Sequence, residues 1–369
     1  MKKKLQLKRL ILPFFFVGII ISCTKSINEN SNAAVLLSAQ AAGNAQMLKD
    51  FTQTNLVGSD ATYNPLRVDP LLVNAWGISF GATGTFWISA TNTGVSTVYT
   101  REGVQALPAV AIPSPGTASG GHPTGQVFNA SPDFKLLNNN PARFIFAGVN
   151  GVISGWNGGT AAVRMINRAG LSVYTGLAIG NDGTGNFLYA ADFKSGKIDV
   201  FNKDWALVHR SFADPEIPAG YAPFNIQAVS GKLYVMYAEV GADGDEEKHP
   251  GAGYVAVFNM DGSLNHHLIS RGQLNAPWGV AKAGPGFYGT GSGPDSTILV
   301  GNFGDGHINA FSENGNFLGQ LRAHGNPVVI EGLWAITFPP STSTIDPNRL
   351  YFAAGPDDET KGLFGYIKK

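Results

Sequence analysis

Six segments of the chain open on a similar apolar stretch: NAWGISF (74–80), HPTGQVF (122–128), YTGLAIG (174–180), APFNIQAV (222–229), NAPWGVAK (275–282) and EGLWAITF (331–338). They recur every roughly 50 residues, a period expected of propeller blades. Each is followed by a run rich in aromatic and β-branched residues, a turn and a second run. FWISA precedes STVYT, FIFAG precedes GVISGW, LYAADF precedes KIDVFN, LYVMYA precedes YVAVFN, ILVGNF precedes HINAFS, and LYFAAG precedes LFGYIK. Short, evenly spaced strands with Gly-rich turns predict an all-β repeat architecture. A blade is buried on both faces, so its inner strands should be near-continuous apolar runs, as ILV, FIF and LYV are. The 47 glycines fit tight turns such as KSGK, MDGS and ENGN and crowding near a central axis. The expectation is a six-bladed β-propeller over residues 51–369.

The sixth unit ends at the C-terminus with GLFGYIK as its third strand, and FTQTNLVG (51–58) precedes the first repeat without a blade of its own. The N-terminal segment is therefore expected to supply the outer strand of the last blade, covering an edge that would otherwise be open. The Gly-rich GNFGDG (301–306) has the look of an ion or phosphate loop, but a phosphate cradle leads into a helix. Here strand, turn and strand follow, as in AADFKSGKIDVF of the third unit, so it reads as a turn.

Residues 1–22 combine a basic head (Lys2, Lys3, Lys4, Lys8 and Arg9) with an apolar run from Leu10 to Ile21 that contains Pro13. That run is shorter than the ~20 residues of a membrane-spanning helix and reads as a secretory signal. Ser22 followed by Cys23, the single cysteine of the chain, resembles the lipobox of bacterial lipoproteins. The expectation is lipidation at Cys23, an exported protein anchored to a membrane, the outer one being expected, and a flexible tether over 23–50. Without the five basic residues of the signal, 21 basic face 26 acidic residues, and they are scattered. A concentrated basic face, the footprint of nucleic-acid binding, is absent from the sequence.

The runs NLVGSD, DPLLVNAWGISF, LVGNFGDGHINAF, EGLWAITF and LYFAAGPDDETKGLFGYI together resemble a family of bacterial secreted proteins known only by a serial number. The resemblance covers roughly 51–369 and implies a six-bladed propeller and export. More distantly the pattern is similar to NHL-repeat, gluconolactonase-like and streptogramin-lyase-like propellers.

In a propeller the innermost strands begin around one mouth of the channel, so the repeat openings are expected to meet there. Those positions carry Asn74, His122, Tyr174, Asn275 and Glu331. A carboxylate, an imidazole and two amides can hold a divalent cation such as calcium, or set a general base beside a polarising group. The loop GADGDEEKHPGAG (241–253) gathers Asp243, Asp245, Glu246 and Glu247. It starts like a calcium loop but lacks the EF-hand Gly and terminal Glu, and reads as a solvated acidic loop that offers a contact surface. Trp76, Trp278 and Trp334 hold equivalent repeat positions and are expected to pack between blades. The chain has no HExxH, Walker loop or CxxC, and its linear order marks no Ser-His-Asp arrangement; His266 and His267 read as exposed.

Two functional readings remain open. One is a lipid-anchored module or scaffold that binds a protein, glycan or small molecule. The other is a metal-dependent hydrolase or lyase, lactonase-like, at the channel mouth. Oxygen and nitrogen side chains converging within coordination distance would favour the enzyme; a channel plugged by Leu, Trp and Gly would favour the binding module.

Overall fold

The computed structural model describes residues 40, 42–81, 84–289, 296–340 and 344–369. The signal segment, Cys23 and the tether as far as residue 39 lie outside them. The chain divides into two units, Met1–Gly43 and Asn44–Lys369. Of the first, residues 40, 42 and 43 are described and are helical.

The second unit is a ring of six four-stranded antiparallel blades, matching the expected fold. Their inner strands are Ala75–Phe80, Pro123–Phe128, Tyr174–Asn181, Tyr221–Val229, Pro277–Ala283 and Leu333–Thr337. All six lie on the apolar stretches that open the repeats. The second strands Phe86–Ala90, Phe144–Gly148 and Leu350–Ala354 are buried at every position, as two-faced packing requires. Glycine in the inner strands lets neighbouring blades approach near the axis. A Cβ on Gly77 would lie 2.4 Å from the Thr124 carbonyl, and one on Gly125 would lie 2.3 Å from the Leu177 nitrogen.

Closure follows the expected scheme. Thr52–Gly58 pairs antiparallel with Leu363–Lys368, from Thr52 opposite Lys368 to Gly58 opposite Leu363, and becomes the fourth strand of the last blade. Arg67–Val68 adds a short parallel strand outside it. The compact unit nevertheless begins at Asn44 rather than at the expected boundary of 51. Met47, Leu48 and Phe51 are buried with Phe287 and Leu321, and Leu48 and Phe51 exchange backbone hydrogen bonds with Arg322. Apolar side chains in the last part of the supposed tether thus dock on the propeller.

GNFGDG is a turn. Asn302 Nδ2 donates to Asp305 Oδ1 at 3.1 Å, and the same oxygen accepts the His307 N–H. Its Phe303 points inward and stacks on Trp334 with ring centroids 3.7 Å apart.

Candidate functional site

The axis of the propeller is plugged by aromatic rings. Trp76 and Trp334 stack at 3.5 Å, and Trp278 meets both edge-on at 6.4 and 6.1 Å. Phe224 packs on Trp334 at 5.7 Å. The Trp278 indole N–H donates to the Thr175 carbonyl at 3.0 Å, tying the fifth blade to the third. The three tryptophans therefore pack between blades, as their repeated position implies.

On one side of the plug the inner strands enclose a cavity of about 280 Å³ lined largely by apolar groups and backbone, including Ile78, Leu177, Ile226 and Trp278. The GISFG run (77–81) has the G-x-S-x-G spacing of a nucleophile elbow. It runs along an inner strand with Ser79 buried, so the sharp strand-to-helix turn of an elbow is missing.

On the other side, where the inner strands begin, lies a polar cavity of about 770 Å³. Its base is formed by Trp76 and Trp334, and its walls include Asn74, Asn92, His122, Thr175 and Lys194. Asp243, Asp245, Glu246 and Lys248 reach it from the 241–253 loop, and Glu359 from the last blade. The expected convergence of repeat openings thus holds for Asn74 and His122. Asn74 is buried and central: its Oδ1 accepts the Trp334 indole N–H at 2.8 Å, and its Nδ2 donates to Glu359 Oε2 at 2.6 Å. His122 is exposed on the rim.

Three openings belong elsewhere. Tyr174 is buried, and its hydroxyl donates to Asp199 Oδ2 at 2.7 Å. Asn275 is buried beside the Phe303 turn, donating weakly to Asp305 Oδ2 at 3.4 Å, because its backbone carbonyl accepts the Gly304 N–H and holds it there. Glu331 does not line the cavity; its carboxylate accepts the Asp357 backbone N–H at 3.0 Å and the Tyr63 hydroxyl at 3.2 Å.

That bond makes Glu331 a brace. Asp357, Asp358 and Glu359 all adopt left-handed backbone angles, with φ of 58°, 48° and 63°. For residues with a Cβ such a conformation costs about 1–2 kcal/mol each, so it persists only where the surroundings impose it. Glu331 holds its first N–H, Asn92 Nδ2 donates to the Glu359 carbonyl at 2.8 Å, and Asn74 holds the Glu359 carboxyl. The strained turn sets Glu359 over the tryptophan plug. Sequence reasoning missed Glu359, Lys194 and Lys248, since no residue pattern announces three consecutive left-handed residues.

The acidic loop is not wholly solvated. Glu246 bridges to Val240, and its side chain is only 15% exposed at the cavity wall. Burial pushes its carboxyl up to about 7, helped by the nearby charges of Glu359 and Asp245 and opposed by a backbone hydrogen bond and by Lys248. Burial also raises Glu359, against the pull of Lys248 and the Asn74 hydrogen bond. Lys248 Nζ lies 3.7 Å from Glu246 Oε1 and 4.3 Å above the Phe303 ring, linking loop to plug. Glu247 is exposed and outside the cavity lining. Asp243, Asp245, Glu246 and Glu247 do not bring their oxygens together as metal ligands. Among the described residues, the one group of three carboxylate or imidazole donors within 4.8 Å of one another is Asp214, Glu216 and His267, on the outside of the ring.

Fold and site together define the class: a six-bladed β-propeller with a ligand-sized polar cavity over a plugged axis. Two uncharacterized proteins of Acanthamoeba polyphaga mimivirus are 34% and 32% identical to the chain over 339 and 334 residues, covering 86% and 85% of it and 86% and 80% of their own lengths. The chain belongs to the same family as these mimivirus proteins. The bacterial and secreted character implied by the sequence resemblance is not carried by these viral relatives. No family model matches the chain. Among solved structures, virginiamycin B lyase from Staphylococcus aureus is similar at 12% identity and a TM-score of 0.50, covering 87% of this chain and 99% of the lyase. A structural genomics protein of unknown function from Bacteroides thetaiotaomicron is similar at 10% identity and a TM-score of 0.54, covering 86% of this chain and 77% of that one. At such identities these likenesses establish the fold alone.

Proposed function

We propose that this protein is a binding module whose working site is the channel mouth, and that the mouth takes a small polar molecule bearing hydroxyl or amino groups. The observation that carries this reading is the composition of the cavity above the plug. About 770 Å³ is the size of a small-molecule pocket. Carboxyls of Asp243, Asp245, Glu246 and Glu359 supply acceptors, and Lys194 and Lys248 supply donors. Beneath the cavity the buried Trp76 indole N–H has no hydrogen-bond partner among the described residues. A group of that kind, left unpaired, costs about 1–3 kcal/mol.

A second reading, hydrolysis or elimination by general acid–base catalysis, is favoured by Glu246. A carboxyl near 7 is matched to proton transfer at neutral pH. It could take a proton from water attacking a cyclic ester, or from carbon beside a bond being eliminated. The lyase among the structural neighbours shares only its fold with this chain, so the reaction class rests on Glu246.

One variant separates the readings. In the unfolded chain Glu246 ionises at its ordinary 4.5, and in the folded one near 7, so folding takes up a proton between those values. Its stability contribution is complete below pH 4.5 and is lost as the pH rises through 7. Glu246→Gln should therefore match the parent near pH 4 and exceed it at pH 8 by up to about 3 kcal/mol, or roughly 5 °C in melting temperature. In thermal-shift screens of polyols, amines and lactones, a ligand at a hundred times its Kd adds about 2.7 kcal/mol. Binding requires at least one class to shift the parent but not Asp243→Asn/Asp245→Asn. Lactone or ester turnover that Glu246→Gln abolishes would put the catalytic reading first. No shift and no turnover at any pH would overturn both.

We further propose export with lipid anchoring at Cys23, which the basic head, the apolar run and the lone cysteine support. Cys23→Ser is expected to move the protein from the membrane fraction to the soluble one. Persistence in the membrane would count against the anchor. Among the described residues no helix is long and apolar enough to cross a membrane.

A further inference from the structure

The outer strand of the fourth blade, Leu264–Ser270, carries an arrangement that the channel does not use. His267 Nδ1 lies 2.7 Å from Asp214 Oδ2, and His267 Nε2 lies 2.8 Å from Ser270 Oγ. Asp214 sits on the connection that leads into the fourth blade, between Leu207–Val208 and Tyr221–Val229. Exposure rises along the row: the Asp214 side chain is fully buried, that of His267 is 10% exposed, and Ser270 is exposed.

Along a regular strand, residues three apart face opposite sides of the sheet. Here Ile269 pairs with Val255 and His267 with Ala256, so Leu268 is an extra residue in a bulge. The bulge cancels the odd spacing and turns His267 and Ser270 to the same face. Bulges of this kind re-aim side chains and concentrate beside active sites. Asp214 is itself fixed, its Oδ1 accepting the Glu216 N–H at 2.9 Å. An ionised carboxylate only accepts, which sets the imidazole with its proton on Nδ1 and leaves Nε2 free to accept from the serine hydroxyl.

We propose that Ser270, His267 and Asp214 form a nucleophilic site on the outer rim of the fourth blade, one that takes acyl groups from small activated esters. Ser270 Oγ bonds to the acyl carbon while its proton passes to His267 Nε2, and Asp214 holds the resulting imidazolium. The carbon–oxygen bond to the leaving group breaks, and the departing alcohol takes that proton. Water then repeats the sequence, releasing the carboxylic acid and restoring the serine hydroxyl. The roles follow from geometry, as they do in hydrolytic triads on unrelated folds. The open position of Ser270 suits short acyl groups rather than a long chain.

The test is covalent labelling of the full chain with a biotinylated fluorophosphonate, the site being mapped by mass spectrometry. One adduct at Ser270 is expected. Ser270→Ala, an exposed replacement, should abolish it, and His267→Gln should slow it by about a hundredfold or more. Ser270→Cys, tested with iodoacetamide, should react faster in the His267 background than with His267→Gln. Glu246→Gln should label at the parent rate, which separates this site from the channel mouth. A folded parent that labels no faster at Ser270 than at other exposed serines would overturn the proposal. So would a labelling rate indifferent to His267, which would leave the row as a hydrogen-bonded brace for the 209–220 connection.

Discussion

Replacing Trp334 by alanine is expected to cost about 3–5 kcal/mol, enough to remove much of the margin on which a typical domain rests. Trp334 is 1% exposed, stacks on Trp76 and Phe303, packs on Trp278 and Phe224, and donates to Asn74. These partners come from blades 1, 4 and 5 as well as the turn of blade 5, so a cavity left here cannot be closed by movement of a single blade. Trp334→Phe should cost less. It keeps an aromatic ring between Trp76 and Phe303 but leaves the buried Asn74 Oδ1 unpaired, for about 1–3 kcal/mol. The order Ala, Phe, parent in urea midpoint is the expected result. Equal losses for Ala and Phe would mean that the hydrogen bond to Asn74, not the stack, holds the axis. Because Asn74 also carries Glu359, both variants should weaken any ligand held at the channel mouth.

Removing residues 1–58 is expected to be more damaging still, giving aggregated or non-cooperatively melting protein. The deletion strips Met47, Leu48, Phe51, Leu56 and Val57, all buried, from the last blade and its neighbour. At about 1.5–3 kcal/mol for each large apolar side chain, the loss rivals the whole stability of a typical domain. It also opens the Leu363–Lys368 edge, a strand buried at five of its six positions and so apt to pair with another chain. A soluble monomer with a parental melting curve after this deletion would refute closure by the N-terminal strand.

The contrast between what was legible and what was not runs through particular residues. Blade number, inner strands and the Thr52–Gly58 closure were readable because burial on both faces forces apolar residues into every repeat. Asn74 and His122 line the mouth. Asn275, Glu331 and Tyr174 do not, and the reason is physical. All six inner strands shift register near their starts, between Ala75 and Ile78, Pro123 and Gln126, Tyr174 and Gly176, Pro223 and Asn225, Pro277 and Gly279, and Leu333 and Ile336. The shift is common to all six blades, and what separates the openings is the partner each one meets: Tyr174 is held by Asp199, Asn275 by the Gly304 N–H, and Glu331 by the Asp357 N–H and the Tyr63 hydroxyl, none of which repeat alignment shows. The 241–253 loop was recognised as acidic but read as solvated, because composition does not tell which of four carboxyls folds inward; Glu246 alone is withdrawn from the surface, to 15% exposure of its side chain.

The amino-acid sequence by itself determined the number of blades, their inner strands and the way the ring closes, since these follow from local apolar patterning repeated six times. Tertiary structure alone decided which polar groups meet. Glu359 reaches the mouth through a left-handed turn braced by Glu331 and Asn92, and Ser270 reaches His267 through a bulge at Leu268. Neither conformation follows from the residues that adopt it, because each is stabilised by partners distant in the chain rather than by local propensity.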